Sequence, residues 1–169
     1  MKCGILIALA VVSTTVAFTS ESVVQAQPPG PNIVYFLVDD LGREDVGFMG
    51  SQDVRTPNID RLAKEGAVLK SFYVQPVCSP TRSALMTGRY ATRTGVYSVV
   101  RPGAPWGLPL AERTLPQALR EAGYTTAICG KWHLGEFQPE YMPTRRGFDH
   151  QYGHMFVALD SRREARLVP

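Results

Sequence analysis

One stretch limits the possible folds more than any other: a continuous apolar run from Asn32 to Val38, which stops at two carboxylates, Asp39 and Asp40. β-Branched and aromatic side chains occur on both alternating faces of this run. A strand that is apolar on both faces is typical of the middle of a parallel sheet covered by helices. Because ligands bind beyond the carboxyl ends of such strands, the run also predicts a site at Asp39 and Asp40.

The following segments also fit a parallel sheet. Pro57 and Gly66 mark the start and end of a predicted helix, with Thr56 as its N-cap. Residues 67–73 then predict a second strand, and strand, helix, strand is the right-handed crossover unit of parallel sheets. We therefore expect an α/β fold in which a mostly parallel sheet is flanked by helices on both faces.

A third strand is predicted further along the chain. Thr114 and Gln117 have the spacing of a capping box that opens a helix, and residues 124–129 follow as an apolar strand. Residues 91–107, which are rich in Gly, Pro and polar side chains, predict a loop. Polar side chains after the third strand are expected at the same edge of the sheet as the two carboxylates.

Lys131 and His133 are the polar side chains that follow this third strand. Two residues apart in an extended segment, they share one face and can point into one pocket. A lysine offers a positive charge to the oxygen of an anion, and a histidine can donate a hydrogen bond or shuttle a proton. The alternative is that both are ordinary surface residues.

Cys78 is predicted to lie at a helix N-terminus, because Pro80 suits the first turn of a helix. Free backbone N–H groups and the helix dipole attract anions there. Arg82 lies one turn beyond Cys78 on the same side of the helix, so its guanidinium can reach back towards the thiol. The segment has the parts of an oxyanion site, although a cysteine that only caps or packs the helix is the alternative.

The adjacent carboxylates of Asp39 and Asp40 repel each other unless a cation or several hydrogen-bond donors compensate. Oxygen-rich sites of this type suit Ca²⁺ or Mg²⁺. Aspartate is also common in turns after strands, so a turn or a helix cap is the alternative.

Three motifs together resemble those of one family. The spacing Cys78-x-Pro80-x-Arg82 resembles the signature of the type I sulfatases. Residues 39–42, Asp-Asp-Leu-Gly after a hydrophobic strand, match a second pattern of that family, and residues 130–135 resemble its Gly-Lys-x-His motif almost letter for letter.

The likeness covers most of the chain, from about Asn32 to Gly153. Residues 86–90, 93–95 and 143–149 make it most similar to the arylsulfatase B subgroup. The resemblance implies the alkaline phosphatase/sulfatase-like arrangement of sheet and helices, incomplete at the C-terminus.

The resemblance also implies a mechanism. In that family an enzyme oxidises the cysteine to formylglycine, whose hydrate attacks the sulfur of a sulfate ester. Carried over to this sequence, formylglycine is made from Cys78 by a formylglycine-generating enzyme. Asp39 and Asp40, with the oxygen of residue 78, bind Ca²⁺.

The remaining catalytic residues follow from the same resemblance. Arg82 orients and stabilises the hydrate, and Lys131 clamps the sulfate. His133 helps to deprotonate the hydroxyl that later expels sulfate. The family's later residues, which complete the calcium shell and protonate the leaving group, are not identifiable in this sequence.

Residues 1–26 have the features of a secretory signal peptide: Lys2, an apolar core and a compact cleavage region before Gln27. Residues 27–31 predict a Pro/Gly linker, and residues 32–169 the N-terminal part of a sulfatase catalytic domain. We expect an exported protein, periplasmic or secreted, with no stable membrane anchor. A lysosomal location is disfavoured because the sequence contains no Asn-x-Ser/Thr acceptor.

Composition limits the partners. The formal net charge of +3 is mild and no basic run occurs, which argues against nucleic acid. A weakly basic protein suits an anionic substrate, here a sulfated small molecule or polysaccharide. After removal of Cys3 with the signal, Cys78 and Cys129 remain, and their placement in separate motifs disfavours a disulfide between them.

The sequence therefore predicts a sulfuric ester hydrolase that acts on sulfated sugars through formylglycine and Ca²⁺. Two alternatives stay open at this stage. One is a phosphatase or phosphonate hydrolase of the same superfamily, with similar metal carboxylates and another nucleophile. The other is a truncated sulfatase remnant that binds anions without turnover.

Overall fold

The computed structural model describes residues 30–155, so the predicted signal peptide over residues 1–26 and most of the predicted linker lie outside the described residues. The chain divides into two compact units, residues 1–33 and 34–169. Only residues 30–33 of the first unit are described, and all elements named below belong to the second.

The described part of the second unit combines short helices with one small sheet. The helices are α1 (Pro57–Glu65), α2 (Cys78–Thr87), α3 (Ala91–Thr94) and α4 (Leu115–Glu121), and the strands are β1 (Ala127–Cys129) and β2 (His150–Tyr152). Single 3₁₀ turns occur at Arg43–Asp45, Gly47–Met49, Pro139–Tyr141 and Pro143–Arg145. Across residues 30–155, no helix has the length and apolar character needed to cross a bilayer.

Helix α1 has the predicted bounds, with Pro57 at its first position and Gly66 as its C-cap. Thr56 does not make the predicted side-chain cap. Its hydroxyl instead accepts a hydrogen bond of 2.8 Å from the Gly47 backbone and donates one of 2.8 Å to Asp60. Thr56 therefore connects the preceding 3₁₀ turn to the helix rather than satisfying a free helical N–H.

Helix α2 begins at Cys78, which confirms the predicted position of the cysteine in the first turn of a helix. Pro80 lies within that turn, where the loss of a backbone N–H costs little. Gly88 ends the helix in the left-handed region, at φ 67°, and its N–H bonds to the Ala84 carbonyl at 2.8 Å.

Helix α4 begins with the predicted capping box. The Thr114 hydroxyl accepts a hydrogen bond from the Gln117 backbone, and the Gln117 side chain accepts one of 2.8 Å from the Thr114 backbone. Two free N–H groups at the helix start are thereby satisfied.

Strands β1 and β2 pair in parallel, with Ile128 opposite Gln151 in the register. The sequence predicted β1 as the end of a longer strand over residues 124–129, and it did not predict β2. The parallel direction agrees with the expected sheet.

The two other predicted strands, residues 32–38 and 67–73, are not strands in the described part of the chain. Their backbone lacks a ladder partner among residues 30–155, so the large apolar side chains stay exposed: Phe36 to 79% and Tyr73 to 87%. A buried central strand requires neighbours on both sides and helices on both faces. Local composition favours an extended segment but does not supply those neighbours, and residues 70–71 form a turn instead.

The predicted loop over residues 91–107 is more structured than expected. It begins with helix α3 and contributes Val96 and Val100 to the core. The buried core consists of Val96, Val100, Leu108, Trp132, Leu134 and Phe148. Trp132 and Phe148 meet edge to face, with ring centroids 6.2 Å apart.

Arg146 fixes the turn that precedes α4. Its guanidinium is buried and donates hydrogen bonds of 3.0–3.1 Å to the carbonyls of Pro109, Leu110 and Glu112. Its own carbonyl accepts a 2.6 Å hydrogen bond from the Thr114 hydroxyl. This arginine therefore supplies donors to carbonyls that no helix or strand would satisfy.

Candidate active site

Helix α2 carries Cys78 at its first position and Arg82 one turn later. The Cys78 thiol is partly buried, and it lies close enough to Arg82 to interact with the guanidinium electrostatically. Arg82 itself is buried, with 8% of its surface exposed. The sequence-predicted pair is thus formed on one side of the helix.

Arg82 connects α2 to two distant segments. Its Nη1 donates a hydrogen bond to the Lys131 carbonyl, and its Nη2 lies 3.8 Å from Asp39 Oδ1. Its Nε is buried and has no hydrogen-bond partner within residues 30–155. Burial lowers the pKa of Arg82, while the charges of Asp39 and Cys78 oppose that shift.

Lys131 approaches the same carboxylate from the other side. Its Nζ donates a 2.6 Å hydrogen bond to Asp39 Oδ2, although the lysine side chain is only 8% exposed. This hydrogen bond is the main reason that the pKa of Asp39 lies below its ordinary value of 3.8. Asp39 therefore balances two cations that would otherwise repel each other.

Lys131 is held near α2 by the ends of the sheet. Gly153 approaches the backbone so closely that a Cβ at that position would lie 2.3 Å from the Gly130 carbonyl oxygen. In addition, the Gly130 N–H bonds to the Tyr152 carbonyl at 2.7 Å. The close contact between Gly130 and Gly153 directs the chain from the end of β1 towards Lys131.

His133 is buried with 2% exposure and has an uncommon left-handed backbone, at φ 63°. Its N–H bonds to the Met155 carbonyl at 2.7 Å, which holds this conformation. Burial, then the Lys131 charge, lower the pKa of the imidazole from 6.5 to about 4, against a hydrogen bond with the Val100 backbone. The imidazole is therefore neutral at physiological pH and able to accept a proton.

The structure brings together four predicted site residues: Asp39, Arg82, Lys131 and His133 interact electrostatically as one group, and Cys78 borders it through Arg82. Asp40 does not join the group. It is exposed, with φ 56°, and makes no hydrogen bond or ion pair within the described residues.

The two cysteines outside the predicted signal peptide are both free thiols. Cys129 is exposed on β1, whereas Cys78 is partly buried on α2. No disulfide joins them in the part of the chain that the structure describes, and the absence of a bond between them stays a prediction.

The predicted calcium ligands are of the chemical type that the ion prefers, but they are too few to complete its coordination shell. Asp39 and Asp40 offer the hard carboxylate oxygens that Ca²⁺ prefers, but the ion takes about 6–8 such ligands. Within residues 30–155 no three His, Cys, Asp or Glu side chains converge as a metal site. Assignment of Asp39, Asp40 and Cys78 to the metal stays a prediction.

Sequence reasoning did not identify a second layer of residues around the group. Ser79 and Ser83 are fully buried on α2 and bond across to Val100 and Thr94. No periodic pattern marks such long-range hydrogen bonds. The available signal was the presence of two serines one turn apart in this helix, at positions 79 and 83.

Comparison with known proteins decides the family. The model of the family described as Sulfatase matches residues 31–166, most of the chain. The chain belongs to the sulfatase family. Mouse arylsulfatase J is 48% identical to it over 131 residues, which is 77% of this chain and 22% of the mouse protein. Dog N-acetylgalactosamine-6-sulfatase is 44% identical over 135 residues, which is 75% of this chain and 26% of the dog protein.

This chain is also similar to solved structures. The crystal structure of Ps i-CgsB is 45% identical, with a TM-score of 0.66 over 69% of this chain and 26% of that one. The same protein has been solved in complex with k-i-k-neocarrahexaose. The chain thus has the sulfatase α/β fold, and the expected fold class is confirmed. It spans about a quarter of the length of these relatives.

The low pKa of His133 generates a pH prediction for this sulfatase chain. Between pH 6.5 and about 4 the unfolded chain binds a proton that the folded chain excludes, so stability falls as the pH drops through this window. The pKa values of Asp39 and Asp149 are lowered from 3.8, so the loss of stability that their protonation causes occurs mainly below pH 3.8. His133→Gln should flatten the fall in melting temperature across this range.

The matched control is His150→Gln, because His150 is exposed on β2. Melting temperatures recorded in steps from pH 4 to pH 7.5, without added calcium, should keep the wild-type slope in this control. An unchanged slope in His133→Gln would contradict the assignment of the excluded proton to His133.

Proposed function

We propose that the protein containing this chain hydrolyses sulfate esters, and that residues 32–169 form the N-terminal part of its catalytic domain. The observation that carries the proposal is the convergence of Arg82 and Lys131 on Asp39, next to Cys78 at the start of α2. Two buried cations beside a helix N-terminus suit an anion with several oxygens, such as a sulfate group.

Residue 78 is proposed to be formylglycine, made from Cys78 by a formylglycine-generating enzyme. In that form it would supply a hydrated aldehyde whose oxygen attacks the sulfur of the ester, while the S–O bond to the alcohol breaks and the alcohol leaves after taking up a proton. The partly buried position of Cys78 in the first turn of α2 leaves the side chain next to free backbone N–H groups.

The side chains around residue 78 have separate tasks in this proposal. Arg82 has a buried Nε–H with no partner in the described residues, and this donor is available to an oxygen on residue 78. Lys131 presents a fixed positive charge to an oxygen of the sulfate. His133 is neutral because its pKa is about 4, and it accepts a proton from a hydroxyl of residue 78.

Calcium is the proposed metal, held by Asp39, Asp40 and the oxygen of residue 78, with further ligands from outside residues 30–155. When bound, the ion would acidify the attacking oxygen and neutralise a sulfate oxygen. Asp39 is suited to this position because its pKa is lowered, so the carboxylate is ionised at physiological pH.

Sulfated sugars are the proposed substrates. The supporting observations are the solved complex of Ps i-CgsB with a carrahexaose and the name of the N-acetylgalactosamine-6-sulfatase relative. The weakly basic charge of this chain, +3, is compatible with an anionic polysaccharide. Export by means of the predicted signal peptide at residues 1–26, to the periplasm or the medium, would bring the enzyme to such material.

The modification of Cys78 is the first prediction of this proposal. In protein produced together with a formylglycine-generating enzyme, the peptide that contains residue 78 should carry an aldehyde in place of the thiol. Cys129 is the internal control, because it is more exposed than Cys78 but lacks the motif, and its peptide should retain the thiol. Peptide mapping by mass spectrometry measures both. An intact thiol at Cys78 would favour the non-catalytic remnant.

Activity is predicted to depend on Arg82. In the active protein, Arg82→Ala should lower the rate of aryl sulfate hydrolysis by about 10²–10³-fold, since a preorganised donor is lost. Arg89→Ala is the control, because Arg89 lies just beyond α2, is half exposed and pairs with Glu112.

Rates with an aryl sulfate and the matching aryl phosphate complete this test. A loss under about tenfold in Arg82→Ala would contradict the assigned role. Faster hydrolysis of the phosphate by the wild-type protein would favour a phosphatase of the same superfamily instead.

A further inference from the structure

Ser79, the residue after Cys78, is polar but fully buried. Its hydroxyl accepts a 3.1 Å hydrogen bond from the backbone N–H of Val100, which lies 21 residues further along the chain. Val100 is itself buried in the core, with 1% exposure. The side chain of Ser79, within the cysteine motif, thus holds the backbone of Val100 in the segment after α3.

Val100 also contacts the site from its other side. Its backbone forms a hydrogen bond with the His133 imidazole that favours the protonated ring, as a carbonyl acceptor does. Val100 therefore bonds to Ser79 through its N–H and to His133 through its carbonyl. The three residues come from α2, the segment after α3 and the segment after β1.

We propose that Ser79 is a positioning residue, which holds the Val100 carbonyl where it fixes the tautomer and the ring orientation of His133. The hydrogen bond made by one ring nitrogen decides which nitrogen carries the proton and which is left to act on a substrate. The consequence for catalysis rests on the proposed function; the link from Ser79 to His133 does not.

Ser83 provides a matched comparison within the same helix. It lies one turn after Ser79 and is equally buried, but its hydroxyl pairs with the Thr94 hydroxyl at 2.6 Å. Removal of either hydroxyl loosens α2 against the segment that follows it. Of these two serines, only Ser79 bonds to Val100, so the tautomer of His133 should change only when the Ser79 hydroxyl is removed.

The experiment records the ¹⁵N spectrum of the histidine side chains in the full chain at neutral pH. Wild-type protein should show one tautomer at His133. Ser79→Ala should give a signal averaged between both tautomers, because the Val100 carbonyl is no longer held. Ser83→Ala should keep the wild-type signal, even if its melting temperature falls as far as that of Ser79→Ala.

A second variant keeps the test open if Ser79→Ala does not fold. Ser79→Thr retains the hydroxyl acceptor and should show the single tautomer of the wild type. The proposal is overturned by a mixed tautomer in wild-type protein or in Ser79→Thr, by an unchanged signal in Ser79→Ala, or by an equal shift in Ser83→Ala.

This readout requires no formylglycine, calcium or turnover. Failure of sulfate ester hydrolysis together with the expected tautomer shift would therefore remove the proposed function and leave the link from Ser79 to His133 in place. The reverse pattern, activity with no tautomer shift, would remove only the positioning role.

Discussion

The site depends on the Asp39 carboxylate. One of its oxygens accepts a 2.6 Å hydrogen bond from Lys131, and the other lies 3.8 Å from Arg82. Asp39 and Lys131 are 92 residues apart in sequence, so a single carboxylate connects the segment after residue 38, helix α2 and the segment after β1. Without this negative charge, two poorly hydrated cations would face each other at short range.

Burial then determines the chemistry of the neighbours. His133 lies under the surface with two cations nearby, and burial first, then the charge of Lys131, lowers its pKa to about 4. The imidazole is therefore neutral, while the Lys131 Nζ beside it lies 2.6 Å from the Asp39 carboxylate. A fixed cation beside a neutral imidazole is the combination that anion binding with proton transfer requires.

Local signals in the sequence were sufficient for helices α1, α2 and α4, whereas α3 lies in a segment predicted as loop. Pro57 and Gly66 set the limits of α1, and the Thr114–Gln117 capping box set the start of α4. Each signal works within one turn of the chain. The sequence also predicted that Asp39 and Lys131 converge, but on the assumption that both follow strands of one sheet, and residues 32–38 are not a strand in the described part of the chain.

The sequence did not correctly predict the features that depend on residues distant in the chain. Residues 32–38 have the composition of a central strand, but a strand forms only where another backbone pairs with it, and no such partner occurs in the described part of the chain. The composition of β2 does not distinguish it from a loop, and the segment is a strand because its backbone pairs with β1. The bond from Ser79 to Val100 has no sequence pattern at all, since Val100 lies in a segment that composition alone marks as loop.

The central claim is that Asp39 and Lys131 form one coupled, charge-balanced site, and a double-mutant cycle tests it most directly. The free energy of unfolding would be measured for wild type, Asp39→Asn, Lys131→Met and the double variant. Asp39→Asn leaves the Lys131 charge without its carboxylate, and Lys131→Met leaves Asp39 with Arg82 alone at 3.8 Å. The double variant should therefore lose less stability than the sum of the two, with a coupling of at least about 0.5 kcal/mol. Additive losses would contradict the account, because they would mean that the two side chains do not act on each other in the folded protein.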